Sequence, residues 1–253
     1  GIGNGMTARP EEILFMVFMD YTNCTDSIHR SELSLPGGTK PLGVEIQQIV
    51  FNYNCIPLRD MYFVKYRIIN KSSMFWDSVY YSTANEPDIG AAFDDPSGCD
   101  STRDLGFVYN YNNNDPDYGN NPPATGTRLL QSPVIYTGIT SDTLKLPYDT
   151  LTGYKALGMT SYNEFLNGGN ECTGDPDNAV NAYNYMKGLN GCGVPLKNWV
   201  TGNVTKFRYN GNACSRTGWF DSTSTQSRYI QNSGPFTMQS GDTQIVVLSF
   251  MIT

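Results

Sequence analysis

The sequence predicts a mainly β fold: an antiparallel β-sandwich of immunoglobulin- or jelly-roll-like type, with a long loop-rich insertion carrying one or two short helices. Three observations lead there. Charged residues are only 16% of the 253 residues against 39% hydrophobic ones, so Tyr, Asn, Gly, Ser and Thr supply most of the polarity, as in secreted β proteins. Short apolar or alternating runs of strand length cluster at both ends of the chain. Between them lies a tract crowded with Asn, Asp, Gly and Pro, the residues of turns. A chain of this length can bury a substantial core as one elaborated domain over residues 1–253. Core strands are expected from about 13–82 and 235–253, and the insertion from about 85–233.

Ile13-Leu-Phe-Met-Val-Phe-Met19 is continuously apolar and reads as a strand buried on both faces. After the turn at Pro36-Gly-Gly, residues 42–51 alternate Val44 and Ile46 with Glu45 and Gln47, the pattern of a half-buried strand. Residues 61–69 alternate as well, and Asn70-Lys-Ser-Ser73 leads into residues 76–82, which predicts a hairpin. Residues 235–238 and 243–252, joined by Gln239-Ser-Gly-Asp242, predict a second strand pair. In the middle, residues 110–123 read as turns. Short helices are expected at 161–166, ended by Gly168-Gly169, and at 178–187, ended by Gly188. Asp177 or Asn178 would cap the second, with Ala179, Tyr183 and Met186 on one stripe.

A net charge of −7 without a cluster of Lys and Arg excludes a phosphate-backbone partner. The longest apolar runs, 13–19 and 245–252, are far too short to span a bilayer as helices. Cys24, Cys55, Cys99, Cys172, Cys192 and Cys214 contain no C-x-x-C pair, so a disulfide framework of at least two bridges and an oxidising compartment are expected. Cys24 with Cys55, and Cys192 with either Cys172 or Cys214, are the preferred pairings. The start at Gly1 without a signal segment and the stop at Thr253 just after a strand are read as a processed fragment of a longer secreted protein.

The segment 86–100 holds five carboxylates, Glu86, Asp88, Asp94, Asp95 and Asp100, with turn formers between them. Crowded like charges repel, and a hard divalent cation turns them into an oxygen shell, so calcium is the expected cofactor. Asp115-Pro-Asp117 and Asp175-Pro-Asp-Asn178 are read as turns instead. No catalytic constellation is visible. His29 beside Asp26 and Arg30 is read as a surface histidine, and Glu164 as a helix-surface glutamate. The aromatic residues suit both core filling and contact with proteins or sugars, and Trp199 and Trp219 are the expected exposed platforms.

Several blocks carry a resemblance: Leu33-Ser-Leu-Pro-Gly-Gly-Thr-Lys-Pro-Leu-Gly-Val-Glu45, Tyr66-Arg-Ile-Ile-Asn-Lys71, Pro87-Asp-Ile-Gly90, Gly98-Cys-Asp100, Tyr183-Asn-Tyr-Met-Lys-Gly188 and Ser233-Gly-Pro-Phe-Thr-Met238. In this order they resemble the amino-terminal β-rich region of large secreted proteins of Bacteroidota and related phyla, which usually end in a type IX secretion sorting domain. The resemblance covers most of the chain from about Met16 onward. It implies a secreted or cell-surface location and supports the calcium loop, but brings no activity. This chain has Glu86 where the family often has Asp, and Val108 where the family often has a cysteine that would partner Cys99. The O-glycan acceptor pattern of that phylum occurs at Ser27, Ser78, Ser101, Thr143, Thr150 and Ser222, and Asn23, Asn70 and Asn203 lie in N-glycan sequons.

These readings give a non-enzymatic extracellular structural or adhesive module, stabilised by calcium. It would assemble with itself through its apolar terminal strands into filaments or a surface layer, or contact surface glycans or proteins. The alternative is a glycan-binding or glycan-processing domain of a secreted enzyme. No nucleic acid and no membrane span are expected.

Overall fold

The alternating and apolar runs form strands that pair antiparallel. A computed structural model describes residues 9–20, 41–146, 149–222 and 227–253. In chain order the strands are β1 (Ile13–Met19), β2 (Val44–Asn52), β3 (Met61–Asn70), β4 (Trp76–Asn85), β5 (Ser97–Asp100), β6 (Leu105–Tyr109), β7 (Asn114–Asp115), β8 (Gly119–Asn120) and β9 (Ala124–Gln131). They continue with β10 (Val134–Tyr136), β11 (Thr143–Leu146), β12 (Asp149–Thr152), β13 (Tyr154–Ala156), β14 (Ser161–Leu166), β15 (Leu196–Lys197), β16 (Val204–Thr205), β17 (Ser227–Met238) and β18 (Thr243–Ile252). Among the described residues there is one α-helix, α1 (Ala179–Met186), which precedes β15.

A seven-stranded sheet runs β1-β2-β3-β18-β9-β6-β5, and a three-stranded sheet runs β14-β17-β4. Their side chains meet as in a sandwich. Val246, Leu248 and Leu129 of the larger sheet pack with Tyr81 of β4. Tyr162 and Tyr229 of the smaller sheet stack at 5.3 Å and pack with Cys99 and Val108 of β5 and β6. Gly106 makes this approach possible, because a Cβ there would sit 2.7 Å from the Tyr229 ring.

Neither expected hairpin forms. β3 pairs with β2 and β18, whereas β4 pairs with β17, so the turn after Asn70 carries the chain from one sheet to the other. The turn between β17 and β18 crosses in the same way. Asn70, fully buried, binds the two corners together: its main-chain N–H donates to Asp242 O (3.0 Å), its Nδ2 donates to Met74 O (2.8 Å), and its Oδ1 accepts from Ser72 N–H (3.0 Å).

The middle of the chain is loop-rich but also supplies β5, β6 and β9 to the large sheet and β14 to the small one. Residues 161–166 are a strand rather than a helix. Pairing with β17 buries the whole run except its last residue, leaving no polar face for solvent. The helix expected at 178–187 is present, and Asn178 Oδ1 accepts from Val180 and Asn181 N–H as its N-cap. Its buried face is Asn181, Asn184 and Tyr185, not the expected apolar stripe, because both Asn side chains donate to Gly191 O at 3.0 Å.

The largest departure is β1. It is a strand, but it lies at the edge of the large sheet, and six of its seven residues are 45–65% exposed. Among the described residues only β2 pairs with it, and its side chains stay largely exposed to them, where the sequence led one to expect burial on both faces. The other terminal run, β18, is internal, held between β3 and β9, and offers no open edge.

Candidate functional site

The acidic segment leaves the end of β4 and returns as β5, folding around backbone amides. Asp115, almost wholly buried, accepts from the N–H groups of Ala91 (2.9 Å), Asp117 (2.8 Å) and Tyr118 (2.8 Å), which hold its carboxyl below the usual range. Gly90 passes so close that a Cβ would meet Asp115 Oδ1 at 2.1 Å, and its φ of +62° is a conformation that glycine adopts without strain. Asp95, 1% exposed, accepts from Ile89 N–H at 2.7 Å through Oδ2. Burial pushes its carboxyl up to about 6; the Ile89 bond opposes this, while Asp94, Asp88 and Asp115 add to it.

The five expected calcium ligands therefore separate three ways. Asp94 and Asp95 are adjacent, each with a buried Oδ1 that has no hydrogen-bond partner, and Asp88 is near enough to raise Asp95. Glu86 turns instead to Arg228 (2.6 Å), which also bonds Asp175. Asp100 accepts from Thr102 Oγ1 (2.6 Å), Thr102 N–H and Arg103, and its carboxyl is lowered accordingly. Among the described residues no three His, Cys, Asp or Glu side chains converge as a metal-ligand group. Asp94 Oδ1 and Asp95 Oδ1 are the oxygens of the segment that could serve a cation, and a calcium ion there would need its remaining oxygens from backbone carbonyls.

A second acidic site escaped the sequence reading. Glu164 is not on a helix surface but 2% exposed on β14, where Oε2 faces Arg208 (3.3 Å) and Oε1 accepts from Ser97 Oγ (3.4 Å). Ser97 N–H donates to the buried Asp221 Oδ2 at 3.2 Å. This knot ties β5 to β14, and its carboxylates are buried. Local sequence carried no signal for it, because Ser97, Glu164, Arg208 and Asp221 come from four separate segments.

One expected cysteine pairing is present: Cys172 and Cys192 form a disulfide that closes a loop spanning α1. Cys55 and Cys214 are exposed thiols, and Cys99 is a buried thiol whose ionisation burial strongly opposes. Cys24 lies outside the described residues, so the Cys24–Cys55 pairing is not addressed, and only one bridge is seen among the described residues. Of the glycan candidates, Ser78, Thr143, Thr150 and Ser222 are exposed and Ser101 is half-buried, while Ser27, Asn23 and His29 lie outside the described residues. Asn70 is sealed inside the corner it builds, and Asn203 is exposed. Trp199 is exposed as expected, but Trp219 is buried edge-on against Tyr209.

Where strands of both sheets end, a cleft of 930 Å³ is lined by Tyr62 and Phe250 of the large sheet and by Asn85, Glu86 and Pro87 at the end of β4. No helix among the described residues is long and apolar enough to cross a membrane. Comparison with protein-family models and with curated proteins finds no match to this chain.

Proposed function

We propose that this chain is a non-enzymatic extracellular or cell-surface module, structural or adhesive in role and stabilised by calcium, that pairs with a second copy of itself at the exposed edge of β1. β1 carries the reading: seven apolar residues, uncharged throughout, at the edge of the sheet. An edge of this kind is a template for strand addition, and natural edges are usually blunted by charge or proline. The run is self-complementary. An antiparallel pairing centred on Met16 sets Ile13 against Met19, Leu14 against Phe18 and Phe15 against Val17, all apolar pairs.

The same register brings Glu12 beside Asp20 of the other copy. Asp20 already disperses its charge into the N–H groups of Gly43 (3.0 Å) and Val44 (2.8 Å), so this repulsion is moderated and salt weakens it further. A two-fold contact of this type closes at the dimer. Filament growth would need a further interface, and the internal position of β18 removes the one expected from sequence. The Cys172–Cys192 bridge supports an oxidising, secreted setting. The orphaned oxygens of Asp94 and Asp95 support calcium.

Sedimentation velocity tests the pairing. One seven-residue strand per copy makes a small interface, so a dissociation constant of about 10 µM or weaker is expected. Association should strengthen with salt and vanish in the double variant Phe15→Lys, Val17→Lys, whose changes lie on exposed positions. A monomer at every concentration and salt level overturns the reading.

A further inference from the structure

We infer that the cleft at the end of the sandwich binds an uncharged oligosaccharide, with Tyr62 as its stacking platform. This assigns a ligand class to the adhesive half of the proposed function and rests on that reading, but not on the pairing of β1. The aromatic lining of the cleft is built by strand register. Tyr62 and Phe250 are direct cross-strand partners on β3 and β18, and their rings stack at 4.7 Å with planes only 6° apart. Phe250 thus covers one face of the tyrosine ring. The residue opposite Tyr62 on its other side is Asn52 of β2, a small polar side chain that cannot cover the second face, and Tyr62 remains 46% exposed. A rigid aromatic ring backed on one face and open on the other is a surface on which the C–H face of a pyranose packs.

The walls are polar in a way that matches hydroxyl groups. Behind the ring, Tyr229 OH donates to Thr127 Oγ1 (3.1 Å) and Thr127 Oγ1 donates to Asn85 Oδ1 (3.3 Å); Tyr229 and Thr127 are buried, so this chain fixes the half-buried Asn85 at the rim, and the polar lining open to a ligand is Asn52 and Asn85. Asn52 uses its Oδ1 to accept from Glu12 N–H (3.1 Å), which fixes the side chain beside Tyr62 and turns its amide donor to other use. Charge at the site is slightly negative. Arg59 pairs with Asp60 (3.5 Å), and Glu86 shares Arg228 (2.6 Å) with Asp175. An anionic ligand would meet this excess of carboxylate, and a wholly apolar one would strip water from these groups without replacing it. A neutral polyhydroxylated chain satisfies both the ring and the walls. The cleft is also large enough, at 930 Å³, for two or three sugar rings, within the range of natural ligand sites.

Saturation-transfer difference NMR on the purified chain tests the inference with cellohexaose, laminarihexaose, mannohexaose and N-acetylchitohexaose as neutral probes and hexagalacturonate as the anionic one. At least one neutral probe should show transfer, strongest at the C–H protons of one ring face. Tyr62→Ala should weaken it at least tenfold and Tyr62→Phe by no more than about threefold, since the ring rather than the hydroxyl makes the platform. Asn52→Ala keeps the ring stack, so it gives a reading even if Tyr62→Ala fails to fold, and it should weaken binding several-fold. No transfer from any neutral probe, transfer from hexagalacturonate alone, or transfer unchanged in a folded Tyr62→Ala or in Asn52→Ala overturns the inference. The Phe15→Lys, Val17→Lys variant should bind sugar normally, so failure of self-pairing and failure of sugar binding are read separately.

Discussion

Asn70 Nδ2 donates to the main-chain carbonyl of Met238 at 3.2 Å, joining positions 168 residues apart and locking together the two corners at which the chain changes sheets. The same side chain accepts from Ser72 Oγ at 2.7 Å, and Ser72 Oγ accepts in turn from Trp76 Nε1 at 3.2 Å. Removing the amide leaves several buried polar groups without partners. Asn70→Ala is therefore expected to cost about 2–4 kcal/mol, from the lost bonds and the desolvated groups left behind. Urea unfolding of the two proteins measures it; a change below about 1 kcal/mol would mean the corner has another lock. Expressed in an N-glycosylating host, the chain should carry glycan at Asn203 and none at Asn70, which peptide mass analysis reads directly.

Asp95 gives a pH signature. Its carboxyl is raised from 3.8 to about 6 in the folded state, so the native protein holds the proton more tightly than the unfolded chain. No penalty exists below about pH 3.8. It grows as pH rises between 3.8 and 6 and is complete above that, reaching up to about 3 kcal/mol. Without calcium, Asp95→Asn should raise the melting temperature at pH 7.5 by several degrees and have no such effect at pH 3.5. Asp100 and Asp115, with lowered carboxyls, act oppositely and lose their contribution as pH falls below about 3.8.

Calcium reverses the Asp95 effect if it sits where proposed. It should raise the melting temperature of the wild-type chain at pH 7.5, by about 2.7 kcal/mol of stability at a hundredfold excess over its dissociation constant, and leave Asp95→Asn unmoved. Calcium stabilisation that survives in Asp95→Asn places the ion elsewhere, and none in the wild type removes the calcium reading.

Thiol accessibility follows from the burial pattern. Alkylation of the native protein should label Cys55 and Cys214 quickly and Cys99 only on unfolding, while Cys172 and Cys192 require reductant. Reducing their bridge, which closes a loop of 20 residues, should cost about 3 kcal/mol. Rapid native labelling of Cys99 would contradict its packing beneath Tyr162 and Tyr229.

What could be read in advance follows a physical division. Strand identity at 13–19, 44–52, 61–70 and 243–252 was legible because apolar runs and alternation are local properties. The exposure of β1 was not, since burial depends on which neighbours the topology supplies, and an apolar run at an edge looks like one at the centre. Asn70-Lys-Ser-Ser73 reads as a hairpin turn because the same residues serve a corner between sheets, and nothing local separates the two. Residues 161–166 are too few for periodicity to separate strand from helix. Charge density at 86–100 was visible, but its division was decided by Arg228 and Arg103, one of them far away in sequence. The N-cap Asn178 was legible from local chemistry, whereas the inward turn of Asn181 and Asn184 depended on the carbonyl of Gly191.

The central claim, that β1 is an interface, is tested most directly by amide hydrogen exchange of residues 13–19 as a function of protein concentration. In an antiparallel edge strand alternate N–H groups point away from the sheet and exchange freely until another strand covers them. The account predicts that these alternate amides slow as concentration rises and stay fast in Phe15→Lys, Val17→Lys, with protection elsewhere unchanged. Exchange at β1 that is the same at every concentration would contradict it.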